Sequence, residues 1–283
     1  MGNGQQRAWE QTMRHEARAL LCSVLSVWLD LSMAGEAAAA DFTSGEITRR
    51  LFEAGDGAHL DFSSRDLTNL DLSGLDFKTA RLTSAKLFGT DLTGANLANV
   101  NLDGAALDRA VLTRARFDGA SLKRVSLLRP TIYSALASAD ALPEEAPSFA
   151  GADLSGARVF GRLNYASFKG ANLEGATLAP YNPSGFIEHI FRTELQGADF
   201  SGANLSGTDL THAFLRFANF SGASLQGAVL RNADLSRADL RGADLTGADV
   251  TEADLDGALL TGAKGLDALV GLDQARNRAK EVE

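Results

Sequence analysis

The residues of this chain that could do chemistry are few and poorly spaced for it. There are four histidines, His15, His59, His189 and His212, and one cysteine, Cys22. A helical metal site needs ligands three or four positions apart, and no pair of these histidines has that spacing. A lone cysteine closes no internal disulfide. Aspartates are so numerous that some pair must lie close, so carboxylate proximity does not signal acid–base catalysis, which needs groups of matched proton affinity. No glycine-rich loop follows a strand and opens a helix as a phosphate cradle would. The expectation is therefore no catalytic residue, no metal and no cofactor.

The elements that must position any site follow from a period of five. Runs such as Ala198-Asp199-Phe200-Ser201-Gly202 and Ala243-Asp244-Leu245-Thr246-Gly247 place a small residue, a short polar residue and a Leu or Phe in fixed order. With the Leu or Phe as centre, one register runs from Phe62 to Leu127 and another from Leu195 to Leu260. Between them lie Phe149, Leu154 and Val159, then, after a step of four, Leu163, Phe168, Leu173 and Leu178. A period of five fits neither a helix nor a strand, so the chain must turn within each repeat. If the centre and the residue two before it point inward, as strand alternation requires, the residue between them faces water. The next two positions, often Ser-Gly or Thr-Gly, make the corner. Four such sides close a coil, and about nine coils stack at the ~4.8 Å inter-strand spacing into a rod on the order of 40 Å long.

This pattern closely resembles the pentapeptide repeat family. The resemblance implies an all-β fold, a right-handed quadrilateral β-helix, with short helical caps expected at both ends. The expected organisation is a signal peptide or N-terminal helix over 1–40, a capping helix over 41–59, and repeats over 60–127. An interrupting loop over 128–148 and a short repeat run over 149–179 follow. An inserted loop over 180–192, repeats over 193–262 and a C-terminal cap and tail over 263–283 complete it.

Arg7, Arg14 and Arg18 precede an apolar stretch from Ala19 to Met33, and Ala37 to Ala40 follow, which is the order of a secretory signal. Asp30 interrupts that run, and Leu20, Leu21, Val24, Leu25, Trp28 and Leu31 would share one face of an amphipathic helix instead. The first reading places the protein in the periplasm or outside the cell with no transmembrane anchor in the mature chain; the second leaves it cytoplasmic. Thr43-Ser44-Gly45-Glu46 reads as a capping box opening a helix through Ile47, Leu51 and Phe52. Leu266, Leu269, Val270 and Leu272 offer an apolar face that would cap the last coil or, as in some members of the family it resembles, pair two chains as a homodimer.

Charge bears on what the surface meets. The chain carries a formal charge of −9, which argues against direct nucleic-acid binding. From Phe62 to Leu127 nine Lys or Arg face seven Asp, whereas from Leu195 to Leu260 four Arg face nine acids. Asp234, Asp239, Asp244, Asp249 and Asp254 form a candidate acidic face. The resemblance implies one use for such a face, imitation of duplex phosphates in the DNA-binding cleft of a type II topoisomerase. The plainer reading is that these short side chains satisfy nearby backbone groups and keep the rod soluble. A second candidate surface is the break at 180–192. Tyr181, Phe186, His189, Phe191 and Arg192 there are expected to fold over Phe214 and Phe217, which occupy positions the pattern reserves for polar residues. Such a cluster pins the loop, or else binds a partner or a carbohydrate on an aromatic floor. The function expected is a non-enzymatic scaffold that presents a rigid patterned surface to an unknown protein or envelope partner.

Overall fold

The computed structural model describes residues 40–55, 60–78, 80–133, 142–180 and 192–277. The chain divides into Met1–Ala39 and Ala40–Glu283, and every described residue belongs to the second unit. Of the region 1–40 read as a signal peptide or N-terminal helix, all but Ala40 lies outside the described residues.

Each pentapeptide makes one side of a coil. In a typical repeat Ala95 and Leu97 are fully buried while Asn96 between them reaches the surface. Leu97 N–H donates to Arg116 O at 2.7 Å in the next coil, and Asn96 N–H donates to Leu75 O at 2.8 Å in the previous one. At the corner Ala95 N–H closes a turn on Leu92 O at 2.9 Å, and the residue before it, Gly94, has φ +65°. In the regular repeats among the described residues that corner position has positive φ, occupied by Gly where strain is least and by residues such as Arg114 (φ +57°) elsewhere.

Parallel bridges join residues twenty apart, so four pentapeptides make one coil and four faces run along the rod. The faces begin at Asp61, Asp66, Asp71 and Asp76. Two insertions lengthen the spacing, the four-residue step shortens it where Ser148, Asp153 and Arg158 pair with Ser167, Asn172 and Thr177, and the last two bridges are slightly longer than twenty. Arg116, Ser121 and Ser126 pair with Ser148, Asp153 and Arg158, and Arg162, Ser167, Asn172 and Thr177 pair with Glu194, Asp199, Asn204 and Asp209. Both insertions bulge from corners, and the first, second and fourth faces keep their bridges past them. Strand β1 (Ser126–Leu128) pairs in parallel with β2 (Arg158–Phe160) across the first of them. The repeat also continues past Leu127. Thr131 bridges Val111 and Ile132 packs on the core, so residues 128–132 belong to the coil and not to an interrupting loop. Ile132 is the centre that completes its coil.

The core is one continuous column of these centres and their small partners. On the fourth face Phe117, Phe149, Phe168, Phe200 and Phe220 stack with centroids 4.8–5.0 Å apart and planes within 6° of parallel. This ring ladder runs through both insertions, and holds the fourth face in step where the coils change length.

Helix α1 (Ser44–Glu53) opens on the Thr43/Glu46 capping box and buries Ile47 and Leu51 against the first coil, while Phe52 is 88% exposed. Phe42 meets Phe62 edge-on at 5.8 Å, and Asp41 exchanges bonds with the Asp66 backbone, so this segment covers the first exposed edge. The other end differs from the expected helical cap. Two single 3-10 turns, Leu266–Ala268 and Leu272–Gln274, lie between bridges that still join Asp249 to Val270 and Asp254 to Arg276. The pentad spacing is lost there but the ladder is not, because the backbone groups of the last regular coil still need partners.

Candidate partner-binding groove

Both insertions and the four-residue step meet the third face, the column through Asp71, Asp91, Val111 and Thr131, then Arg162, Glu194, Phe214, Asp234 and Asp254. The first insertion lies between the bridged residues Thr131 and Ser148, and the second between Thr177 and Glu194. Elsewhere the inner position before this face is held by a residue such as Ala110 or Ala213, whose N–H closes the corner turn. In three successive coils it is Pro130, Gly161 and Thr193. Pro130 has no N–H, so its corner lacks the turn bond. Gly161 has φ +143°, and a Cβ there would lie 2.9 Å from Pro130 Cδ and 3.1 Å from Arg129 Cα. Only glycine lets the shortened corner pass so close. Thr193 is buried, and its hydroxyl donates to Leu178 O at 2.6 Å, tying the two ends of the second insertion together.

The consequence is a split. Leu112 N–H donates to Thr131 O at 2.8 Å and Leu163 N–H to Glu194 O at 2.8 Å, but among the described residues no bridge joins Thr131 to Arg162. A cavity of about 700 Å³ opens there, with Arg129 and Pro130 on one side and Phe160, Gly161, Arg162, Asn164 and Tyr165 on the other. Arg192, Glu194, Gln196 and Phe214 of the following coils extend its wall.

The wall is preorganised. Gln196 N–H donates to Asn164 Oδ1 at 2.9 Å, and Tyr165 N–H donates to Gln196 O at 2.9 Å. The Tyr165 ring lies where a Cβ on Gly197 would be, 2.7 Å from that position. Arg162 Nε pairs with Glu194 Oε1 at 3.1 Å, and the Arg192 guanidinium sits 5.2 Å from the Phe214 centroid. Among the described lining residues three arginines, Arg129, Arg162 and Arg192, stand with one glutamate, which makes that part of the wall cationic on a chain of net charge −9.

Of the residues expected at the aromatic break, Tyr181, Phe186, His189 and Phe191 lie outside the described residues. Arg192 and Phe214 do come together, in the groove wall. Phe217 stands apart on the following corner with φ +58°, 47% exposed and with the guanidiniums of Arg216 and Arg237 each 5.7 Å from its centroid. Phe160, Tyr165 and the arginines of the split were missed by sequence reasoning; the signal available was Pro130 and Gly161 in place of the inner alanine.

The five aspartates do not share a face. Asp234 and Asp254 stack on the third, but Asp239, Asp244 and Asp249 lie on the fourth, first and second. They form a belt around the rod, because consecutive pentads occupy consecutive sides. Each carboxylate accepts from the N–H two residues on, Asp244 from Thr246 at 3.0 Å and Asp249 from Thr251 at 3.0 Å among them. Bonds from Thr246 and Gln226 hold the Asp244 carboxyl down at about 2. Burial pulls Asp249 upward, but its bonds from Thr251 and Arg231 outweigh that and leave it below the usual range. Among the described residues no three His, Cys, Asp or Glu side chains converge as metal ligands, and no helix is long and apolar enough to cross a membrane. His59, His15 and Cys22 lie outside those residues.

The pentapeptide repeats family model matches in eight copies, over residues 61–97, 90–127, 191–227 and 223–262. No curated protein matches the chain. Among solved structures, HetL, a pentapeptide repeat protein involved in heterocyst differentiation regulation in the cyanobacterium Nostoc sp., is 27% identical. That match covers 83% of this chain and 96% of HetL with a TM-score of 0.42. QnrB1, a plasmid-mediated fluoroquinolone resistance protein, is 18% identical over 73% of this chain and 92% of its own, with a TM-score of 0.28. A pentapeptide repeat protein of the Arabidopsis thaliana thylakoid lumen is 23% identical over 63% and 77%, with a TM-score of 0.23. None superposes closely enough to carry an argument about partner or activity. With its repeated A(D/N)LxG pentads, its four-sided bridging and that family match, the chain belongs to the pentapeptide repeat family, whose members fold as right-handed β-helices.

Proposed function

We propose that this protein is a non-enzymatic binding scaffold, a quadrilateral rod that holds a protein or envelope partner in the groove on its third face. The observation that carries this reading is convergence. Two insertions, a one-residue deletion, a proline and a strained glycine all fall on one face, and together they open a preorganised cationic cavity in an otherwise regular ladder. Irregularity on a rigid scaffold is where binding surfaces are placed. In this reading α1 caps the rod at one end. Residues 1–40 act as a secretory signal, supported by their order of basic head, apolar run and small residues, so that the mature rod works in the periplasm or outside the cell.

Topoisomerase mimicry receives less support. A phosphate imitation needs carboxylates stacked along one face, and within the belt only Asp234 and Asp254 follow one another on a face. The test is a photo-crosslinking residue placed at Gln196 in the groove or at Thr246 on a distant corner, expressed in the native host. A partner captured from Gln196 and not from Thr246 supports the reading. Capture at Thr246 alone, or equal capture at both, removes it.

A further inference from the structure

The split leaves one rung of the β-ladder unmade. Between any two regular coils the third face forms the same pair of bonds, as Thr131 N–H to Ala110 O at 2.9 Å and Leu112 N–H to Thr131 O at 2.8 Å illustrate. At the split, the corresponding groups are Pro130 C=O and Ile132 N–H on one lip and Arg162 N–H and C=O on the other. Among the described residues these have no bonding partner. Backbone donors and acceptors left unpaired at a ladder edge are the template that an added strand uses.

We propose that the groove takes an extended acidic segment of a partner protein as an added strand. Its backbone bonds to the unmade rung, its carboxylates meet Arg162 and Arg192, and an apolar side chain rests on Phe160 and Phe214. This rests on the reading that the groove is the partner site. Charge complementarity selects the segment. Among the described residues the lining carries one carboxylate, Glu194, beside Arg129, Arg162 and Arg192, and of these Arg162 and Arg192 are the guanidiniums offered to the segment. Arg192 is already placed over the Phe214 ring at 5.2 Å, so it is set to receive a carboxylate at small ordering cost. The apolar requirement follows from Phe160, which is 7% exposed and floors the cavity. A volume of about 700 Å³ suits a short segment and not a folded surface. Duplex nucleic acid fits less well, because it is held by basic groups spread along many phosphates and not by three at one recess.

The experiment uses the full chain and a fluorescein-labelled heptapeptide of alternating Glu and Val with a central Phe, read by fluorescence anisotropy. Saturable binding is expected. Methylating alternate backbone amides of the peptide should weaken it about tenfold, the loss of one or two backbone bonds. The same peptide with Lys for Glu should not bind. Arg162→Glu and Arg192→Glu, both at exposed positions that leave the circular dichroism spectrum unchanged, should each weaken binding about tenfold. Glu194→Gln, which releases Arg162 from its ion pair, should tighten it about threefold. Unchanged binding of the methylated peptide, or its displacement by a short DNA duplex at equal charge, overturns the proposal. If Gln196 still crosslinks a partner while the peptide fails to bind, strand addition falls and the groove remains the partner site. If neither occurs, both fall.

Discussion

The phenylalanine ladder should carry a measurable share of the stability that holds the coils together across the split. Phe168 lies in the coil whose third side is shortened, with Phe149 5.0 Å away on one side and Phe200 4.8 Å away on the other. Phe77 on the same face is equally buried, but among the described residues no ring stacks on it. Replacing a core Phe by Leu keeps most of the volume and costs under about 1.5 kcal/mol in an ordinary site. Each stacked pair contributes about 0.5–1.5 kcal/mol beyond its buried area. Phe168→Leu loses two such pairs, so it should cost about 1–3 kcal/mol more than Phe77→Leu. Urea unfolding followed by circular dichroism measures both, with the slope checked first, because a repeat rod weakened at one interface can lose its all-or-none transition. Equal losses at the two positions, with unchanged slopes, would refute the stacking account and leave simple burial.

Other expectations follow from single contacts. Gly222 has φ +66° with open space around it, so Gly222→Ala tests the corner geometry alone and should lower stability by about 1 kcal/mol in the same urea assay. Thr43→Ala removes the capping box of α1 and should cost about 1 kcal/mol, seen as faster amide exchange in residues 44–51. Acid should act through the belt and its counterparts in the first coils. Asp61, Asp66, Asp71, Asp239, Asp244 and Asp249 all sit below the unfolded value of 3.8. Their contribution is therefore complete above that pH and is lost as pH falls through the folded values, towards about 2 for Asp244. The urea midpoint should be flat from pH 7 to about 4.5 and fall steeply below 3.8; a midpoint that declines already near pH 6 would contradict it.

The regular part of the rod was readable because a period of five admits one arrangement. Ala and Leu two apart must share a side, and the corner must tolerate positive φ, as Gly94 and Arg114 do. What sequence alone did not yield depends on how coils superpose. Asp234 to Asp254 look like a stripe in one dimension, yet five-residue steps around four sides wrap them into a belt. Ile132 was hidden as a centre because Pro130 replaced its alanine and the twelve-residue insertion followed at once. The groove escaped for a related reason. Arg129, Arg162 and Arg192 are far apart in sequence and meet only because both insertions add the same length and return the chain to the same face. Of the cluster expected to form from the loop over 180–192 with Phe214 and Phe217, the described residues bring Arg192 to Phe214 and leave Phe217 apart.

Amide hydrogen exchange at Ile132 and Arg162 tests the unmade rung most directly, measured on the full chain alone and with the acidic heptapeptide bound. The account expects both amides to exchange orders of magnitude faster than Leu112 and Leu163, whose bonds to Thr131 O and Glu194 O are intact, and to become protected when the peptide binds. Protection equal to that of Leu112 and Leu163 in the free protein, unchanged by the peptide, would contradict it.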